Sequence, residues 1–208
     1  MPHSQPRPTA FARFDAKPAS SALGAEILGL DLSRPLAAET SRDLETALAH
    51  YGVLVFRDQR LTPGQHLALA RALGPIDVNR FFRPVDGHDE IAEVRKEAEQ
   101  SSNIGGGWHT DHSYDEIPAK ASILYARELP RRGGDTLFAC ASRAYDALSP
   151  GLKATLGALR ALHSSRHVFG HDGVSRTRGD LPGRIQNPDL ATQDAVHPAV
   201  FRHPLTGR

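Results

Sequence analysis

A histidine and an aspartate two residues apart, in Gly105-Gly106-Gly107-Trp108-His109-Thr110-Asp111, constrain this chain more than any other feature. On an extended strand, side chains two apart project to the same face. His109 Nε2 and the Asp111 carboxylate can therefore occupy adjacent corners of one metal's coordination sphere. A second histidine would complete the facial set of two imidazoles and one carboxylate that suits non-haem iron(II) and leaves positions open for other ligands. No residue after Asp111 fills that role on sequence grounds. The three glycines permit a chain reversal that delivers the strand into a cavity, and Trp108 can wall that cavity off from water.

The spacing alone is a weak signal. Eleven histidines and 24 acidic residues among 208 positions produce about one such pair by chance. His88-Asp89-Glu90 has the same spacing in a stretch of mixed charge and reads as a solvated loop. His112 points to the opposite face of a regular strand from His109 and Asp111, so it does not share their metal. His163 and His167 are four apart, but the residues around them favour a strand or loop over a helix that would bring them together. Cys140 lacks a nearby histidine or positive environment and reads as a packed thiol rather than a nucleophile. Downstream, Gly133-Gly134-Asp135-Thr136 places a hydroxyl after a glycine turn. Thr136 is either an ordinary β-branched strand residue or a donor to a carboxylate, and pattern alone leaves both open.

The rest of the chain reads as one domain. A length of 208 residues with 39% hydrophobic content supports a single core. Lys plus Arg at 25 against Asp plus Glu at 24 provides no basic field, so nucleic acid is not an expected partner and a small molecule is. No apolar run is long enough to span a bilayer, one cysteine cannot form an internal disulfide, and no secretory signal is recognisable; a cytoplasmic setting is expected. Residues 1–21 mix Pro, Arg, Ser and Ala and read as a flexible arm, with 22–208 as the domain.

Along that domain, Ala25 to Leu32 alternates like a strand, Leu44, Ala47, Leu48 and Tyr51 share a helical face ending near Gly52, and residues 52–56 form a buried strand. Thr62-Pro63-Gly64-Gln65 is a capping box opening a helix that Gly74-Pro75 stops. From Ile76 to Gly107 the pattern weakens to long loops. Residues 121–126 and 136–139 read as strands. Ser142 caps one short helix, and Ser149 with Pro150 opens another. Arg166 to Thr192, rich in Gly, Arg, Asp and Pro, reads as a mobile excursion of lid type.

Taken with Gly24-Ala25-Glu26-Ile27, Gly29-Leu30-Asp31-Leu32, Val55-Phe56-Arg57-Asp58-Gln59 and Ala144-Tyr145-Asp146-Ala147-Leu148, the two central motifs make the chain resemble the taurine dioxygenase and 2,4-dichlorophenoxyacetate dioxygenase family of Fe(II)/2-oxoglutarate oxygenases, from about Leu23 to Arg208. The resemblance implies a mainly β fold with flanking helices, a double-stranded β-helix or jelly roll. It implies that His109 and Asp111 ligate Fe(II), that Thr136 contacts the cosubstrate 2-oxoglutarate, and that O2 is consumed as a substrate is hydroxylated with release of succinate and CO2.

The family's second iron histidine and its 2-oxoglutarate arginine fall in a segment that this sequence does not reach. His197 and His203 match a block upstream of that segment, so neither aligns with the missing ligand. The resemblance therefore implies a truncated member with an incomplete β-helix, whose open edge favours a homo-oligomer. The alternative to an enzyme is an inactive binding or interaction remnant; a cupin-like isomerase is a third reading. Where the taurine enzyme carries a histidine, a tyrosine and an asparagine around its sulfonate, an ungapped pairing puts Asn79, Phe82 and Gly105. Taurine is thus not the expected substrate, and another small organic anion is.

Overall fold

The computed structural model describes residues 8–208, and the first seven positions of the expected arm lie outside the described residues. The chain divides into two compact units. The first comprises residues up to 74, 124–158 and 200–208; the second comprises 75–123 and 159–199.

In the first unit, strand β1 (Asp15–Pro18) pairs antiparallel with β2 (Ala25–Leu28), and β2 pairs parallel with β3 (Leu54–Val55). Helix α1 (Ala38–Tyr51) buries Leu44, Ala47 and Tyr51 along one stripe, as their spacing requires. These residues pack with Phe14, Ala16, Ala25 and Ile27 in one apolar cluster. The arm expected through Ser21 is therefore a strand at its C-terminal end: Phe14 and Ala16 alternate into the core, an apolar signal that the surrounding Pro, Lys and Ser residues obscure. Gly52 ends α1 at a φ of 73°, a left-handed cap that glycine adopts without a Cβ clash.

Helix α2 (Pro63–Leu73) carries the expected capping box. Thr62 Oγ1 accepts from the Gln65 amide, and Gln65 Oε1 accepts from the Thr62 amide. Later in the same unit come helices α3 (Ala141–Asp146) and α4 (Pro150–Gly157). Ser149 Oγ accepts from the Leu152 amide as expected. Cys140, not Ser142, takes the N-cap position of α3, without a side-chain bond.

The second unit contains two hairpins. Strand β4 (Pro84–Val85) pairs with β5 (His88–Ala92), so His88, Asp89 and Glu90 lie on a strand rather than in a loop; the two-residue turn at Asp86-Gly87, with Gly87 at a φ of 76°, closes it. Strand β6 (Arg160–Ser164) pairs antiparallel with β7 (Asp194–Pro198). His163 is on β6, and His167 is on the single-turn helix α5 (Arg166–Phe169) that follows.

The segment from 166 to 192, expected as an excursion, packs into the second unit. It contains α5 and a second one-turn helix, α6 (Val174–Thr177), and it buries Ser175, Leu181, Ile185 and Ala191. Ile185 and Ala191 join fully buried Phe81, with Phe82, Tyr114 and Phe169 packed around them. Phe81 and Phe169 stack with ring centroids 4.1 Å apart. A few apolar residues spread through a polar stretch suffice because they converge on one aromatic cluster.

Residues 121–126 and 136–139, expected as strands, are irregular. A strand exists only where a neighbour takes up its backbone donors and acceptors, and the sheets of the described residues offer these segments none. Among the described residues the three sheets are short and not hydrogen-bonded to one another, with no closure into a barrel. Among the described residues no helix is long and apolar enough to cross a membrane.

Candidate metal centre

His109 and Asp111 do not lie on a strand; they sit in an irregular segment that leads into a turn at 111–114. The two side chains nevertheless converge, with His109 Nε2 3.3 Å from Asp111 Oδ1. Local hydrogen bonds replace the missing sheet. His109 Nδ1 lies 2.7 Å from the Gly107 carbonyl oxygen. A carbonyl only accepts, so Nδ1 carries the proton, and in the neutral ring Nε2 presents its lone pair toward Asp111. Ser122 donates to Asp111 Oδ2 at 2.7 Å, which leaves Oδ1 facing the imidazole.

A lone pair and a carboxylate oxygen at this separation repel each other unless a cation or a proton lies between them. The separation suits adjacent ligands on one metal, each near 2.1 Å from it. Supporting bonds that set the tautomer of a ligating histidine and the orientation of a ligating carboxylate are the usual surroundings of a metal site. Both side chains are about half exposed. Gly105 matters sterically: its φ is 71°, and a Cβ there would lie 3.2 Å from His109 Cε1. Trp108 does not shield the pair, since it is 72% exposed.

The next residue is held differently. His112 adopts a φ of 54°, a left-handed conformation that non-glycine residues seldom take. Its side chain turns inward, with Nδ1 3.0 Å from both Asp77 Oδ2 and Asp115 Oδ2. Arg80 pairs with Asp115 at 3.5 Å. Among the described residues, Asp77, His112 and Asp115 are the metal-type donors that converge as a set of three, and no third such donor joins His109 and Asp111. Sequence reasoning missed this cluster because Asp77 is 35 residues away from its partner and Asp115 belongs to no motif. Tyr114, between these groups, has its phenol pushed up to about 12, chiefly by burial and then by the Asp115 carboxylate.

Thr136 belongs to the first unit, on an exposed irregular segment. In the second unit, Asn79 Oδ1 accepts from the backbone amides of Phe81 and Phe82, so that oxygen shapes a turn. Phe82 is half-buried, its ring edge-on to Phe169. Its hydrophobic contacts account for its position without a ligand.

The sequence from 15 to 208 matches the model of the family described as taurine catabolism dioxygenase TauD, TfdA family. The chain belongs to this family. It is 34% identical over 202 residues to an (S)-phenoxypropionate/alpha-ketoglutarate dioxygenase of Sphingobium herbicidovorans, a match covering 94% of this chain and 68% of that protein. It is 30% identical over 200 residues to an alpha-ketoglutarate-dependent sulfate ester dioxygenase of Pseudomonas putida, covering 93% of this chain and 64% of the relative. The crystal structure of a taurine dioxygenase from Burkholderia xenovorans superposes with a TM-score of 0.72 at 31% identity, covering 94% of this chain and 61% of that one. The chain thus spans about two-thirds of the length of these family members. Of the site residues expected from the sequence, this structure brings His109 and Asp111 together.

Proposed function

We propose that this chain carries part of the active site of an Fe(II)- and 2-oxoglutarate-dependent dioxygenase that hydroxylates a small organic anion. The observation that carries the reading is the convergence of His109 Nε2 and Asp111 Oδ1, with the imidazole tautomer set by Gly107 and the carboxylate oriented by Ser122. This donor pair, one neutral nitrogen and one anionic oxygen, suits iron(II). When bound, the iron supplies the redox chemistry by which dioxygen converts 2-oxoglutarate to succinate and CO2 and the substrate is oxidised.

The protein's own contribution is placement. Gly107 keeps the His109 proton on Nδ1, so in the neutral ring Nε2 is the nitrogen left to ligate. Ser122 occupies Oδ2 and leaves Oδ1 as the ligand atom. Thr136 has a hydroxyl suited to donating to a cosubstrate carboxylate, which is its proposed role. The anionic substrate class draws on the phenoxypropionate, sulfate ester and taurine names of the relatives. Asn79 and Phe82 remain proposed substrate contacts, Asn79 through its amide nitrogen. The setting proposed is cytoplasmic.

A reading of the chain as a binding remnant draws on one observation: no third donor converges on the pair among the described residues. Succinate formation from 2-oxoglutarate separates the two, measured with Fe(II) and O2 on protein expressed from the native reading frame. Turnover abolished by Asp111→Ala is expected. Absence of both turnover and 2-oxoglutarate binding would contradict the oxygenase reading.

A further inference from the structure

The turn that follows Asp111 is gripped from two sides, and neither grip belongs to the metal pair itself. On one side, the Asp77 and Asp115 carboxylates hold His112 Nδ1. On the other, His197 on β7 brings Nε2 to 3.1 Å from the carbonyl oxygens of both Ser113 and Asp115. Two carbonyls only accept, so His197 Nε2 carries a proton shared between them. His163, across the hairpin, lies beside the His197 ring at 5.5 Å. Ala161, His163, Ala195 and His197 occupy the more buried face of the hairpin, while Leu162 and Val196 point outward. The register of β6 and β7 therefore determines where His197 meets the turn.

We propose that His197 is a positioning residue for the His109–Asp111 pair. It ties β7 to the backbone of residues 113–115 and, with the carboxylates around His112, fixes the turn from which Asp111 projects. This inference rests on the metal reading given above. An irregular segment has no ladder of backbone bonds to define its shape, so the spacing of the two donor atoms depends on such side-chain anchors. The Asp77–His112–Asp115 set acts in this proposal as an anchor, through the contacts of His112 Nδ1 with both carboxylates.

The test uses the 208-residue protein and three variants: His197→Leu, which removes the N–H, His197→Gln, which can place an N–H near the position of Nε2, and Asp77→Asn, which weakens the opposite grip. Hydrogen exchange is followed over residues 109–116 in metal-free protein, and Mn(II) affinity is measured by paramagnetic resonance of the free ion. His197→Leu is expected to speed exchange in that segment, to leave the α1 amides unchanged, and to weaken Mn(II) binding about tenfold. His197→Gln is expected to recover most of both effects, and Asp77→Asn to speed exchange in the same segment. Should His197→Leu fail to fold, Asp77→Asn and His197→Gln carry the test: wild-type exchange in Asp77→Asn, or faster exchange and about tenfold weaker Mn(II) binding in His197→Gln than in wild type, would then overturn the proposal. Wild-type exchange in both His197→Leu and Asp77→Asn, or a His197→Gln variant as impaired as His197→Leu, would overturn the proposal. Mn(II) binding that requires Asp111 but is unchanged in His197→Leu sinks this inference alone. Equal Mn(II) affinity in wild type and Asp111→Ala sinks the metal reading and this inference with it.

Discussion

The layer formed by β1, β2, β3 and α1 and the segment carrying His109 and Asp111 obtain their shapes by opposite means. In the layer, apolar residues at strand and helix periods meet in one buried cluster, and the backbone satisfies itself in ladders and helical turns. Around the metal pair, regular structure is absent; Ser122 and His112 bond to carboxylates, His197 bonds to two backbone carbonyls, and one turn bond runs from the Asp115 amide to the His112 carbonyl. The layer's stability comes from burial, spread over many contacts. The site's geometry comes from a few polar bonds, each of which can be removed by one substitution. Stability and site geometry are therefore separable in this molecule.

The largest expected stability effect lies in the layer. Leu44 is 2% exposed, and Leu44→Ala should cost about 2–5 kcal/mol, read as a lower urea midpoint. A loss below about 1 kcal/mol would mean that the cluster does not dominate stability as the comparison requires. Next in size is the capping box: Thr62→Ala should cost about 1 kcal/mol by thermal or chemical unfolding, because the Gln65 amide loses its acceptor.

The legibility of these features in the sequence follows the same division. The capping box, the α1 stripe and the Gly52 cap could be read because their determinants lie within a few residues of one another. The pairing of His109 with Asp111 was also readable, although the strand expected to carry it is absent: two residues of separation bring the donors together here with the Gly107 and Ser122 bonds. Asp77 and His197 were illegible, since they reach residues 112–115 from 35 or more positions away. Residues 166–192 misled because their composition is that of a loop, while Leu181, Ile185 and Ala191 are sparse, aperiodic and buried. The β4–β5 hairpin was hidden by the charges on its strands.

Smaller effects sharpen the contrast within the second unit. The Tyr114 phenol titrates near 12 in the fold, above its ordinary value of 10.0. The unfolded chain therefore loses this proton first as pH rises. The contribution to stability is fully present below pH 10 and is lost between about 10 and 12. Tyr114→Phe should flatten that part of the stability profile in alkaline unfolding measurements; an unchanged slope would place the titration elsewhere. Smallest of all, His109→Ala should change unfolding stability by only about 0.5 kcal/mol, since the ring is exposed and packs little. A multi-kilocalorie loss would show that the site segment supports the fold.

The most direct test of the central claim is a titration of the metal-free protein with Mn(II) or anaerobic Fe(II), run on wild type, His109→Ala and Asp111→Ala in parallel. A pair of donors sharing one cation predicts a single stoichiometric site in wild type and at least a hundredfold weaker binding, by order of magnitude, in either variant, because each removes one of two ligands. Undiminished binding in both variants would contradict it.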